Sequence, residues 1–158
     1  MELLIVLVLM GLVAALVSPG LSRFSKSIEL KTSAQRVSGI MRYCRNEAIQ
    51  RGKVQQVILD AAKGEVRVIT IEPSEGAEGS EGEKKEERTT QKKYTLPPGI
   101  QIEEVKVAPP QYPADFPAIE FYPSGGSNGG SFHLDREDHK GYRIQVNFLT
   151  GIVEVKVS

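Results

Sequence analysis

The sequence predicts an α+β protein in which one long N-terminal helix packs on an antiparallel β domain. Three observations carry this reading. Leu3 to Val17 is apolar and uncharged, Leu30 to Ala48 places apolar residues at helical spacing, and beyond Gly52 the pattern turns to alternation. The expected organisation is a membrane-spanning helix half over 1–20, an amphipathic helix half over 21–52 and a β domain over 53–158. At 158 residues the chain holds one domain with a workable core and is too short for two sizeable ones.

The head is apolar on every side, so it offers no water-facing stripe and belongs in lipid or at the centre of a bundle. Leu3 to Val17 rises about 22 Å as a helix, short of the roughly 30 Å of a bilayer core. A signal peptide fits poorly, because Met1-Glu2 supplies no basic region and Ser18-Pro19-Gly20 is no cleavage site. The second half is amphipathic. Leu30, Ala34, Val37, Met41, Cys44 and Ala48 share one stripe, Ile40 widens it, and Lys31, Gln35, Arg36, Arg42, Arg45, Glu47 and Gln50 take other faces. Val37, Met41 and Cys44 are the expected helix–sheet packing residues. Gly52 is a suitable C-terminal cap. If Leu3 to Arg51 is continuous it spans roughly 70 Å, with a kink expected at Pro19 and Gly20.

Strands are expected near 54–59, 65–71, 100–107, 118–122, 131–134, 142–148 and 152–157, with turns at 60–64 and 149–151. Tyr142, Ile144, Val146 and Phe148 alternate with Arg143, Gln145 and Asn147, as in a half-buried antiparallel strand. Ile100 and Ile102 are out of phase with Val105 and Val107, which predicts a bulge between them. Glu72 to Lys93 contains no Val, Ile, Leu or Phe and repeats Glu and Gly. It cannot offset its ordering entropy and is expected to be a disordered insertion over 72–93.

Twenty Lys and Arg balance twenty Asp and Glu, which argues against a general nucleic-acid binder. The single cysteine, Cys44, excludes an intramolecular disulfide and any Cys-rich zinc site. On the apolar stripe it reads as a small buried thiol. His133 and His139, with Asp135, Glu137 and Asp138, could suggest a metal site or an acid/base pair. The expected reading is a charged hairpin turn, where such residues are solvated, and no nucleophile elbow surrounds Ser124. Gly125 to Gly130 lacks the Lys-Ser/Thr and the helix that a phosphate loop needs. Arg23, Lys26 and Lys31 suit anionic lipid heads beside the span, or simply the exposed side of the helix. No catalytic residue, cofactor or metal is expected. Glu2 stands apart: a carboxylate opening an apolar segment is either functional or the water-facing end of the helix, and the residues alone leave both readings open.

Met1-Glu-Leu-Leu-Ile-Val-Leu-Val-Leu-Met-Gly-Leu-Val-Ala-Ala-Leu-Val-Ser-Pro19 closely resembles the N-terminal helix of type IV pilins and type II secretion pseudopilins. The rest is similar to the GspH/FimT group of minor pseudopilins and pilins. Ile40 to Arg51 leads into the β domain, followed by Ile119-Glu-Phe-Tyr-Pro-Ser-Gly125 and Thr150-Gly-Ile-Val-Glu-Val155. The resemblance covers most of the chain except 72–93. It implies a structural subunit that assembles with other pseudopilins or pilins through Glu2, Leu3, Leu4, Ile5, Gly11 and Pro19 of the helix. It further implies an inner-membrane anchor in contact with lipid and a β domain in the bacterial periplasm.

Family precursors carry a basic leader ending in glycine, then an aromatic residue and two more before the segment matching Met1-Glu2. Either translation begins upstream of Met1, as we expect, or prepilin peptidase cannot process this copy. Read as they stand, Arg23 and Lys26 would by the positive-inside rule put the β domain in the cytoplasm; such a leader reverses that comparison. Two alternatives differ in kind: a FimT-like minor pilin of a type IV pilus contacting DNA through basic residues, and a membrane-anchored binding module or enzyme using Asp135 to His139. Neighbouring secretion or pilus genes would separate the first two.

Overall fold

A computed structural model describes residues 2–72, 87–137 and 139–158. One helix, α1 (Glu2–Arg51), is followed by eight strands: β1 (Val54–Asp60), β2 (Glu65–Glu72), β3 (Glu87–Thr95), β4 (Gln101–Val107), β5 (Ala118–Phe121), β6 (Gly130–Arg136), β7 (His139–Val146) and β8 (Val153–Val157). They form two antiparallel sheets, ordered β3-β2-β1-β5 and β4-β6-β7-β8. The chain is thus α+β. Among the described residues, no helix is long and apolar enough to cross a membrane.

The helix runs through Pro19 and Gly20 without interruption and stops where Gly52, at φ 67°, turns the backbone left-handed and donates to the Ala48 carbonyl. Leu30, Ala34, Val37, Met41, Cys44 and Ala48 are each at most 1% exposed. They meet Val57 and Leu59 of β1, Ile119 and Phe121 of β5, and Phe132, Leu134, Ile144 and Val153 of the second sheet in one core. The 4-3-4-3 spacing therefore lays a single helical seam across both sheets. β1 is buried along its whole length, flanked by β2 and β5 and covered on both faces.

The expected disordered insertion over 72–93 needs correction at both ends. Glu72 closes β2, and Glu87–Thr95 is a full edge strand paired with β2 from Glu65↔Thr95 to Glu72↔Glu87. Backbone pairing holds that strand where its side chains offer little apolar area, an edge position that suits Lys and Thr. Residues 73–86 lie outside the described residues. The charged hairpin expected from Asp135 to Gly141 joins β6 to β7 and is shorter than expected, since β6 runs to Arg136, β7 begins at His139 and the two pair there. The β4 register slips between Glu103 and Lys106, with Glu104 at φ 46°, so a bulge lies between the two out-of-phase apolar pairs.

Asn128 fastens the two sheets together. Its Oδ1 accepts from the Glu120 backbone N–H at 2.8 Å, and its Nδ2 donates to the carbonyls of Ala118 and Ala108, each at 3.0 Å. One side chain thus satisfies the outer edge of β5 as a neighbouring strand would. Gly130 permits the close approach beyond it: at φ 146°, a Cβ there would stand 2.8 Å from the Lys106 carbonyl oxygen.

Candidate functional site

The residues that the sequence singles out fall on two surfaces of α1. In the first turns Glu2 is exposed, as are Leu3 (80%), Leu4 (65%) and Ile5 (61%), and a side chain added at Gly11 would meet nothing within 4 Å. Large apolar side chains continue uncovered to Val13. Exposed apolar surface on this scale marks a membrane or protein contact. Pro19 lies within the helix beyond this stretch.

Val37, Met41 and Cys44 are instead wholly enclosed by the β domain. Burial pushes the Cys44 thiol up to about 12, with the nearby Lys92 ammonium opposing the shift. We expect Cys44 to resist a disulfide-exchange reagent at about pH 8 until denaturant is added. Only the unfolded chain ionises between the ordinary value near 9 and the native value. The thiol's contribution to stability is therefore constant below about pH 9 and falls above it. Thiol titration and melting curves against a Cys44→Ala control check both points; fast native labelling would contradict the burial.

Three arginines, none assigned a role by the sequence, fasten α1 laterally. Arg136 on β6 donates to the Glu29 carboxylate at 2.6 Å and reaches the Lys26 and Pro98 carbonyls. From the helix side, Arg42 reaches the Val153 carbonyl at 3.2 Å and Arg45 the Thr150 carbonyl at 2.8 Å. Gly151, at φ 63°, lets the second turn close: a Cβ there would lie 2.5 Å from the Gly125 oxygen and 3.0 Å from Arg45 Nε.

Glu120 is a second feature with no assigned role. It is fully buried on β5, and its carboxylate accepts from the backbone N–H groups of Gln111 (2.8 Å) and Tyr112 (2.9 Å), from Gln56 Nε2 (3.1 Å) and from the Tyr122 hydroxyl (3.0 Å). Burial and then this hydrogen bond raise the Tyr122 hydroxyl to about 12. The arrangement pins the proline-rich connection between β4 and β5 onto the sheet. Every acceptor site faces a donor from the chain itself, so it has the character of a structural anchor.

The histidines do not converge. His133 Nδ1 lies 3.3 Å from the Glu104 carboxylate, whereas His139 sits at the β6–β7 turn with Nδ1 near the Glu137 carbonyl. Asp138 lies outside the described residues. Among the described residues no group of three or more His, Cys, Asp or Glu side chains could hold a metal ion.

The family model of type II transport protein GspH matches residues 33–150. The chain belongs to the GspH family. A structure of the minor pseudopilin EpsH from the type 2 secretion system of Vibrio cholerae superposes with a TM-score of 0.61 at 19% identity, over 82% of this chain and 97% of that one. A second EpsH structure from the same organism gives 0.58 at 17%, over 82% and 94%. The type IV minor pilin FimU of Pseudomonas aeruginosa gives 0.55 at 11%, over 82% and 97%. At these identities the solved structures speak for the shared fold. No curated protein sequence matches this chain significantly. As a GspH-family member the chain is a minor pseudopilin of type II secretion, a structural subunit and not an enzyme.

Proposed function

We propose that this GspH-family subunit is anchored in the bacterial inner membrane by the first half of α1, holds its β domain in the periplasm, and joins a short helical filament when that helix leaves the lipid. The observation that carries the reading is the uncovered apolar stretch from Leu3 to Val13, which the chain's own β domain does not bury. In lipid or against other pilin-like helices the same side chains lose their contact with water. Leu3, Leu4, Ile5 and Gly11 supply that contact, and Pro19 marks the passage toward the domain. Prepilin peptidase is the processing partner where a leader precedes Met1.

Glu2 sets axial register in this reading. An unpaired carboxylate is strongly disfavoured in a low-dielectric bundle, and a partner's terminal amine recovers much of that energy only at the right offset. The expected result is that Glu2→Leu reaches the membrane fraction at the normal level, because the substitution eases insertion, yet loses crosslinking to partner pseudopilins and loses export. Crosslinking of the full-length precursor in cells, wild type against variant, measures this. Unchanged crosslinking with unchanged export would leave Glu2 as the water-facing end of a helix.

A further inference from the structure

We propose that the open groove between α1 and β3, lined by Arg36, Gly39 and Tyr43 of the helix and Lys92 and Tyr94 of the strand, docks an acidic α-helix of a neighbouring pilin-like subunit. The inference rests on the reading above that the chain co-assembles with such subunits, and it names one of the contact surfaces.

The helix seam packs mainly against β1, β5 and the second sheet; Val66 and Val68 of β2 join the same core, and β3 lies beyond them at the sheet edge. Between α1 and these strands runs an open groove of about 460 Å³, floored by Val68 and walled by Ile40, Tyr43 and Tyr94. A hollow of about 360 Å³ shares Arg36 and Tyr94 with it and carries the groove along the helix to Thr32 and Ile28, which is 50% exposed. From Ile28 to Tyr43 the path measures roughly 22 Å, or about four helical turns.

Gly39 gives the groove its depth. It stands in the interior of α1, where glycine is less favourable than alanine, and a Cβ there would meet nothing within 4 Å. Among the described residues no neighbour requires the space. A bare backbone at that point lets a second helix axis approach closely, as small residues do wherever helices pack tightly. The floor consists of side chains on a sheet face, and a helix is the element that covers such a face.

Charge selects the occupant. Arg36 and Lys92 flank the groove, and neither has a carboxylate partner among the described residues; Lys92 Nζ instead rests 4.4 Å from the centroid of the Tyr43 ring. The acid in the adjoining hollow, Glu29, is already held by Arg136 at 2.6 Å. The groove is thus apolar between two cations. A helix with an apolar ridge and carboxylates on its flanks matches it, and the two charges give steering and register.

The test pairs this chain, purified full length in detergent, with each pilin-like subunit encoded beside it. Gly39→Leu fills the groove with a helix-favouring side chain, and Arg36→Glu with Lys92→Glu reverses its charge. Both variants should keep the wild-type melting temperature, while binding weakens about tenfold or more. Wild-type binding should also weaken as salt rises from about 0.05 to 0.5 M. Gly39→Ala, a small residue, should bind nearly as wild type. Undiminished binding by Gly39→Leu and by the charge-reversed variant overturns the proposal, as does wild-type binding to none of these subunits. Crosslinking in cells separates the two readings: co-assembly kept in Gly39→Leu but lost in Glu2→Leu sinks the groove and leaves the assembly role standing, whereas co-assembly kept in both sinks the role itself.

Discussion

Replacing Met41 with lysine is expected to unfold the β domain or bring it close to unfolding. Met41 is 0% exposed at the centre of the helical seam, between Val37 and Cys44. The substitution keeps the length of the side chain but puts an ammonium into an apolar seam, and burying an unpaired charge costs more than the packing lost with the thioether. A loss of about 4 kcal/mol or more is a large fraction of the 5–15 kcal/mol that holds a typical domain. The measurement is thermal unfolding of a fragment beginning at Leu21, with Met41→Leu as control, for which a cost below about 1.5 kcal/mol is expected. An unchanged melting temperature in Met41→Lys would mean that the helix does not pack as described.

Glu120→Leu is expected to be nearly as costly, although it makes the chain more hydrophobic. The leucine would take the acceptor from the amides of Gln111 and Tyr112 and from the Tyr122 hydroxyl, and would leave Gln56 Nε2 only the Tyr112 carbonyl at 3.1 Å. Each buried donor left without an acceptor costs about 1–3 kcal/mol, so a total near 3 kcal/mol or more is expected. The connection from Ala108 to Pro117 should loosen first, visible as new protease cleavage there before global unfolding. Glu120→Gln should lie between, since its amide keeps one acceptor oxygen and turns a donor toward the other donors. Stability equal to wild type in Glu120→Leu would show that these bonds contribute nothing.

The two substitutions also divide what was legible in the sequence from what was not. The helical seam was legible because its spacing is a property of neighbours along the chain, and the same holds for the turn at Gly64 and the bulge near Glu104. The strand Glu87–Thr95 was not, because an edge strand is held by its partner's backbone and needs no apolar alternation of its own. Glu120 was hidden for another reason. Alternation with Ile119 and Phe121 sets it on the outer face of β5, which reads as solvent until the proline-rich connection folds over it. Arg136 acts on Glu29 across more than a hundred residues, and no local pattern announces such a partner. The exposed N-terminal residues were legible as apolar, but what they contact lies outside the chain.

The lateral arginine ties have a mechanical consequence. Arg136 grips α1 at Glu29 and Lys26, Arg42 is tied at Val153 and Arg45 at Thr150, so the grips lie along the helix over some nineteen residues, or about 28 Å. A pull along the helix axis would therefore load these bonds and the apolar seam together, in shear, and no single contact would carry the whole force. A pull across the axis at the free end would peel them one at a time, beginning at Arg136. A rod seated in this way transmits axial thrust or tension to its β domain and yields to bending, the asymmetry expected of a part that is pushed and drawn along its own length.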